Sequence, residues 1–511
     1  MEFLEGINPR EYQQKIFETC SKKNCLVVLP TGIGKTLIAL MLTIERMKQH
    51  PGEKVVFLAP TRPLAEQHIK TFKKHLPELF GDMQLFTGMV KAEQRKKIWE
   101  TADIVFSTPQ CIANDLQNYL YDLKDTCLLI EDEAHRCIKN YSYNYVAQKY
   151  KQQASNARIL GLTASPGSDE RKIKEICKNL FVEEVELRTR DSPDVKQYLQ
   201  ELEFKKIEVD FPPKFEEIRQ ALQKLFYGYV EDLKRRRVLY GFPSKTNLIK
   251  LQKSIMARLT SGSNFNYMWA ASSCAQAIKI QHALELLETQ NIIIFHKYLK
   301  NLFEQAAKKK SKGVIKLVQR PEFNFAFTLT NELIARNQDH PKLEKLIEII
   351  KNENDQTDNL RIIVFTQYRG SASRISEKIE EEIKGIKTKT FVGQSMKNGT
   401  GMKQEEQKKV IKEFSDGKIN VLCATSIAEE GLDIPEVNAV IFYEPVPSAI
   451  RAIQRAGRTA RLMKGKLFIL VTKKTRDEAH YYVSRTREKK MHSAIDKIKK
   501  ELNKNDYQKK L

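Results

Sequence analysis

Gly32-Ile33-Gly34-Lys35-Thr36 stands between an apolar run, Cys25–Leu29, and a run rich in Leu, Ile, Ala and Met, Leu37–Met47. Strand, glycine-rich turn, helix is the setting in which Gly-Lys-Thr holds phosphate. The glycines let backbone N–H groups turn inward, and the helix N-terminus adds positive potential. Pro30, Thr31, Gly32, Ile33 and Gly34 are the expected cradle for ATP. Lys35 is expected at the β/γ-phosphates and Thr36 on Mg²⁺. Leu29 replaces the first glycine of the usual pattern.

Asp132-Glu133-Ala134-His135 follows a second apolar run, Cys127–Ile130. A carboxylate ending a strand beside a phosphate loop can hold Mg²⁺, and the next can orient and deprotonate water. Asp132 is therefore assigned to the metal and Glu133 to the base. Glu131, a third carboxylate where a buried strand should be apolar, is expected on the solvent side of the pleat. Gln454-Arg455-Ala456-Gly457-Arg458-Thr459-Ala460-Arg461 supplies the cations. Arg458 and Arg461, three apart, face one way on a helical turn. From a second domain they would act as arginine fingers on the γ-phosphate.

Those residues need a sheet to present them. Residues 1–200 alternate apolar runs (Cys25–Leu29, Val55–Ala59, Asp103–Ser107, Cys127–Ile130, Arg158–Leu162) with helical patterns, which predicts a parallel sheet covered by helices on both faces. Residues 201–338 change to long helical patterns, over 215–237, 245–259, 267–287 and 292–309. This block holds 23 Lys/Arg against 13 Asp/Glu, a net of +10, with clusters at Lys234–Arg237 and Lys308–Lys312. Read as helix, Arg235, Arg236 and Arg237 would splay about 100° apart. From 339 to 490 the strand–helix rhythm returns without a phosphate loop, through Arg361–Thr366, Thr388–Val392, Ile419–Ala424, Ala439–Tyr443 and Lys466–Val471. Residues 491–511 read as a Lys-rich, fraying tail. The expected fold is α/β: two tandem parallel-sheet domains with an all-helical insert between them.

A net charge of +23 favours a polyanionic partner, nucleic acid before membrane. The eight cysteines show no C-x-x-C spacing and read as buried thiols. There is no 18-residue apolar run, and Met1-Glu2-Phe3-Leu4-Glu5 is not a signal peptide, so a cytoplasmic protein without a membrane partner is expected.

Taken together, the motifs resemble superfamily 2 helicases with two RecA-like domains. In order they are Arg10-x-Tyr12-Gln13, the phosphate loop, Ala59-Pro60-Thr61-Arg62, Thr87-Gly88, Ser107-Thr108-Pro109-Gln110, the DEAH run, Thr163-Ala164-Ser165, Phe365-Thr366, Ala424-Thr425-Ser426, Glu430-Gly431-Leu432-Asp433 and the arginine run. Leu162–Ser168, Phe391–Gln394 and Phe442–Arg451 are similar to the archaeal Hef and Fanconi anaemia M-type family. The resemblance implies adenine contacts for Arg10 and Gln13, and coupling of hydrolysis to domain motion for Thr163 and Ser165. It implies strand-phosphate contacts for Thr61, Arg62, Gly88, Thr108 and Gln110 in the first domain, and for Thr366, Gly393 and Thr425 in the second. Gly431 and Asp433 would reach the nucleotide, and His135 and Gln454 belong to the catalytic motifs. Full-length relatives often carry a C-terminal nuclease. Arg487-Glu488-Lys489-Lys490 is not its Glu-Arg-Lys motif, so a nuclease, like a sliding clamp, is expected only as a separate partner. The implied activity is an ATP-dependent DNA helicase or translocase on branched DNA in replication-fork repair. The rivals are an ATPase activated by double-stranded RNA, of the RIG-I-like type, and a non-catalytic nucleic-acid scaffold.

Overall fold

The computed structural model describes residues 4–260, 265–357, 359–394, 401–428, 434–448, 459 and 464–508. The first sheet contains β1 (Cys25–Val28), β2 (Lys54–Leu58), β3 (Met83–Phe86), β4 (Ile104–Ser107), β5 (Thr126–Asp132), β6 (Ile159–Thr163) and β7 (Glu184–Leu187). All pairings are parallel, in the order β3-β4-β2-β5-β6-β1-β7. The central strands β1, β2, β4, β5 and β6 are apolar through most of their length because both faces are covered by helices.

The second sheet contains β8 (Leu202–Val209), β9 (Ile362–Phe365), β10 (Thr388–Phe391), β11 (Val421–Ala424), β12 (Ala439–Phe442) and β13 (Gly465–Thr472). It is also parallel, in the order β10-β11-β9-β12-β13-β8. This corrects the expected start of the helical insert. The chain crosses to the second sheet first, where β8 pairs with β13 along its whole length. Its mostly exposed, charged sequence hid it.

Six helices follow among the described residues: Pro213–Arg235, Lys245–Thr260, Phe265–Thr289, Ile292–Ala307, Lys312–Val318 and Pro321–Ala335. They share a core of their own, built around Phe215, Leu222, Ile280, Phe295 and Phe323. The first ends at Arg235, and Arg237 has φ +54°, so the three arginines do not continue a helix as expected. A polar joint fastens this bundle to the second sheet. Gln290 accepts from Ser371 at 2.7 Å, Lys342 donates to the Thr289 carbonyl at 3.2 Å, and Asp339 receives the Ile292 N–H at 3.0 Å. Glu285 also lies there, bound by Lys245, with Tyr368 donating to it at 3.3 Å. Burial pushes this carboxyl up, but hydrogen bonds and charge from His282 and Lys245 outweigh it and bring it down to about 2. A depressed acid contributes stability above its unfolded value, near 4.5, that is lost as pH falls toward 2. Glu285→Gln should therefore flatten the acid limb of the unfolding curve between those values; an unchanged limb would remove Glu285 from the joint's pH response.

The expected tail is instead the second half of a 33-residue helix, Arg476–Gln508. Its start is held in the second domain by a fully buried Lys342–Asp477 pair. Its later turns place Met491, Ala494, Ile495 and Ile498 in the core of the first domain. None of the helices, among the described residues, is long and apolar enough to cross a membrane. All eight cysteines are buried and free.

Candidate functional site

The first sheet divides at its carboxyl edge. There β1, β5 and β6 are neighbours and are followed by the phosphate loop, Asp132–His135 and Thr163–Ser165. The adjoining half, β3, β4 and β2, is followed by Gly88, Thr108 with Gln110, and Thr61 with Arg62. In the second sheet the half β10, β11, β9 precedes Gly393, Thr425 and Thr366. One domain thus offers a phosphate-binding half and a second half lined by small polar groups.

The loop after β1 turns through Gly32 (φ +85°) and Gly34 (φ +83°). Gly34 caps helix Lys35–Gln49, which carries Thr36 in its first turn. A Cβ on Gly34 would come 2.2 Å from Gln13 Nε2. Gly34→Ala should cost about 1–3 kcal/mol in strain and weaken nucleotide binding roughly in proportion; equal affinity in a fluorescent-nucleotide titration would show that the loop can yield.

Gln13 and Tyr12 brace this loop. Tyr12 donates to the Ile33 carbonyl at 2.6 Å, and Gln13 Nε2 to the same oxygen at 3.3 Å. The other end of the Gln13 amide receives the Arg10 N–H at 2.8 Å. The Gln13 amide expected at adenine is thus engaged at both ends here, while the Arg10 guanidinium lies 5.0 Å from the Tyr198 ring. Lys35 Nζ turns back onto the Leu29 and Pro30 carbonyls at 3.0 and 3.4 Å. Beside it the buried Thr31 hydroxyl has no hydrogen-bond partner among the described residues.

Asp132 lies near Lys35 and bonds His68 Nε2 at 2.9 Å. Burial works against its charge, but the His68 hydrogen bond and the charges of His68 and Lys35 win and hold it below the usual carboxylate range. Glu133 sits at φ +52°. Its Oε2 is buried, 3.1 Å from His135 Nδ1, and accepts no hydrogen bond from the described residues. From His135 a chain of contacts leaves the site. His135 meets Thr163 Oγ1 at 3.3 Å, Thr163 caps the Ser165 N–H at 3.2 Å, and Ser165 Oγ lies 2.9 Å from Met491 Sδ. Glu131 is fully buried rather than solvent-facing, which corrects that expectation. It accepts from Cys137 Sγ at 3.0 Å, and burial pushes it up to about 8.

The expected strand contacts are placed unevenly. Thr61, Gly88 and Gln110 are exposed and Thr108 is half-buried. Arg62 is paired with Glu66 at 2.6 Å, and Glu66 also meets Lys408 of the second domain at 3.1 Å, across the interdomain cleft. Gly393 is half-buried and Thr425 is buried. Thr366 departs from expectation: its fully buried hydroxyl is spent on Glu444 at 3.2 Å and Gln290 at 3.5 Å. Gly431, Asp433, Gln454, Arg458 and Arg461 lie outside the described residues. Sequence reasoning missed His68, whose signal was a histidine nearly two turns into the helix that starts at Arg62, and the bracing role of Tyr12.

This architecture is similar to the crystal structure of the Hef helicase domain of Pyrococcus furiosus. That chain is 41% identical, with 93% of this chain and 98% of that one covered and a TM-score of 0.72. The chain belongs to the Hef-type helicase family. Within it, the DEAD/DEAH box helicase model matches residues 10–173 and the helicase conserved C-terminal domain 341–463. A helical-bundle model from ATP-dependent RNA helicases matches 214–335. Full-length relatives carry both nucleic-acid names. MJ1505 of Methanocaldococcus jannaschii, named for an RNA helicase, is 37% identical over 95% of this chain. The ATP-dependent DNA helicase fml1 of Schizosaccharomyces pombe is 32% identical over 92%, and the mouse Fanconi anemia group M protein homolog 31% over 95%. This Hef-type chain spans 60%, 57% and 26% of their respective lengths.

Proposed function

We propose that this chain is an ATP-driven DNA helicase or translocase that works at branched DNA in fork repair, in the cytoplasm. The observation that carries the reading is that two parallel sheets stand in tandem and, among the described residues, a phosphate loop follows a strand of the first, beside a half whose loops carry the exposed Thr61, Gly88 and Gln110. That is the layout for one nucleotide between two halves and one strand running across both.

Lys35 and the cradle Pro30–Gly34 bind the triphosphate. Glu133, buried with its Oε2 3.1 Å from His135 Nδ1, takes a proton from the attacking water, and His135 positions it. The donor set suits a hard cation: a buried carboxylate kept ionised, and a hydroxyl in the first turn of the helix. Asp132 and Thr36 would hold Mg²⁺, which when bound neutralises phosphate charge. Arg458 and Arg461 complete the site from the second domain with Gly431, Asp433 and Gln454. Thr163 and Ser165 pass the state of the site onward, toward Met491. Thr61, Arg62, Gly88, Thr108, Gln110, Gly393, Thr425 and the Thr366 segment hold one strand by its phosphates, without reading sequence. Arg62 must release Glu66, which Lys408 can continue to hold, to join them. Because the bundle is jointed to the second sheet, it travels with that domain.

ATPase rate against single-stranded, duplex and forked DNA and duplex RNA tests the reading. Forked DNA should stimulate most. Strongest stimulation by duplex RNA would replace DNA with RNA as the substrate, and no turnover with any ligand would leave a binding scaffold.

A further inference from the structure

Arg236 of one basic cluster and Lys316, four residues past the other, are far apart in sequence but meet at one indole. Trp269 lies in the first turns of helix Phe265–Thr289 and is 51% exposed. The Arg236 guanidinium lies 5.8 Å from its ring and Lys316 Nζ 4.4 Å. Arg236 belongs to the Lys234–Arg237 cluster and is aimed by Asp232, at 3.0 Å, and by Asn266, at 3.2 Å. Lys316 is one turn into the helix that follows Lys308–Lys310. The start of that helix packs on the same face, with a Cβ at Gly313 falling 3.3 Å from Ser272 Oγ. Lys234, Arg235 and Arg237 flank Arg236 in sequence, Lys308, Lys309, Lys310 and Lys312 precede Lys316, and all seven are exposed. Phe265 and Met268, on either side, are 82% and 53% exposed.

Packing does not account for this arrangement. Trp269 is outside the bundle core, which closes beneath it on Ala270 and Cys274. Basic residues at helix C-termini offset the helix dipole, which explains Lys234, Arg235 and Lys308. It does not explain why cations from two helices converge on an exposed aromatic. The site is also about 30 Å along its helix from the joint at Gln290, at the free end of the bundle.

We propose that Trp269 is a stacking platform for an unpaired base at the duplex–single-strand boundary of branched DNA, with the two basic clusters gripping the phosphates on either side. This rests on the DNA reading above and adds where the branch is recognised. Aromatic faces among cations suit single-stranded nucleic acid, because every base has a π-face and every nucleotide a phosphate. The base takes the ring face that Lys316 covers, and the freed ammonium moves to the neighbouring phosphate.

The test uses the full chain and forked DNA with 2-aminopurine at the junction, against blunt duplex of the same sequence. Trp269→Ala should weaken fork binding about tenfold, leave 2-aminopurine fluorescence unquenched, and change duplex binding little. Its salt slope should stay that of the parent, since stacking releases no counterions. Trp269→Phe should restore most of the affinity. Replacing Lys308, Lys309 and Lys310 with Ala should instead lower the slope by up to about 0.9 for each phosphate no longer neutralised. Basal ATPase and circular dichroism should be unchanged in all three. If the parent is stimulated by forks and Trp269→Ala matches it in affinity and quenching, the platform alone is overturned. An equal loss on fork and duplex overturns it too. If the parent neither binds nor responds to forked DNA, the functional reading has failed first.

Discussion

Glu133→Gln should bind ATP and forked DNA like the parent and hydrolyse about 10²–10⁴-fold more slowly, the range for loss of a positioned general base. Glu133 occupies a left-handed backbone position between β5 and the turn Ala134–Arg136, so its carboxylate is aimed by the turn. Oε2 is buried and accepts no hydrogen bond from the described residues, although His135 Nδ1 is 3.1 Å away. A buried carboxylate oxygen without a donor is costly to keep and is ready for a proton or a water. Gln keeps the volume and the turn but cannot take the proton. The phosphate cradle is built by other segments, the loop after β1 and its braces Tyr12 and Gln13, so nucleotide affinity should hold. Single-turnover hydrolysis beside equilibrium nucleotide binding separates the two effects. Hydrolysis at the parental rate would remove Glu133 from the chemistry; a matching loss of affinity would make it part of the cradle.

What the sequence disclosed follows from what each segment must satisfy. Ten of the thirteen strands among the described residues are legible in the sequence, and the three that are not, β3, β7 and β8, are all sheet edges. A central parallel strand is covered on both faces and must be apolar nearly throughout. Met83–Phe86 and Leu202–Val209 are partly solvated, and Glu184–Leu187 buries two glutamates, Glu186 meeting Arg188 at 3.0 Å, so none of the three carries a continuous apolar run. Glu131 reversed the same logic. It stands in a buried strand; burial pushes it up to about 8, which favours the neutral carboxyl, and the Cys137 thiol donates to it. Loop residues can be proposed from the sequence because phosphate chemistry dictates their types. Tyr12, His68 and the withdrawal of Thr366 depend on partners from other segments, Ile33, Asp132, Glu444 and Gln290, and no spacing announces those.

The largest revision, the C-terminal helix, yields the second strong expectation. Met491, Ala494, Ile495, Ile498 and the half-buried Leu502 recur at the i, i+3, i+4, i+7 spacing of one helical face. The many lysines between them made the segment read as a solvated tail. That face closes the core of the first domain, beside Ile173, Ile176, Val185 and Cys177. Burying a Met or Ile side chain is worth about 1.5–3 kcal/mol. Ending the chain after Lys490 should therefore remove roughly 5–9 kcal/mol, an upper estimate because unfolded chains are already partly collapsed. That approaches the whole stability of a typical domain, about 5–15 kcal/mol. Ile495→Ala is the milder form, at about 2–5 kcal/mol. The helix begins in the other domain, on the buried Lys342–Asp477 pair and on Arg476, whose N–H donates to Glu288 at 3.0 Å. Calorimetry of the truncated chain should accordingly show the first domain melting early and separately, with the second domain and bundle keeping their transition. Met491→Leu supplies the control for function: it keeps the apolar volume but removes the sulfur that meets Ser165. Its stability should match the parent to within about 1.5 kcal/mol, while stimulation of hydrolysis by DNA should fall. A truncated chain that melts in one transition at the parental temperature would show that this helix only rests on the first domain.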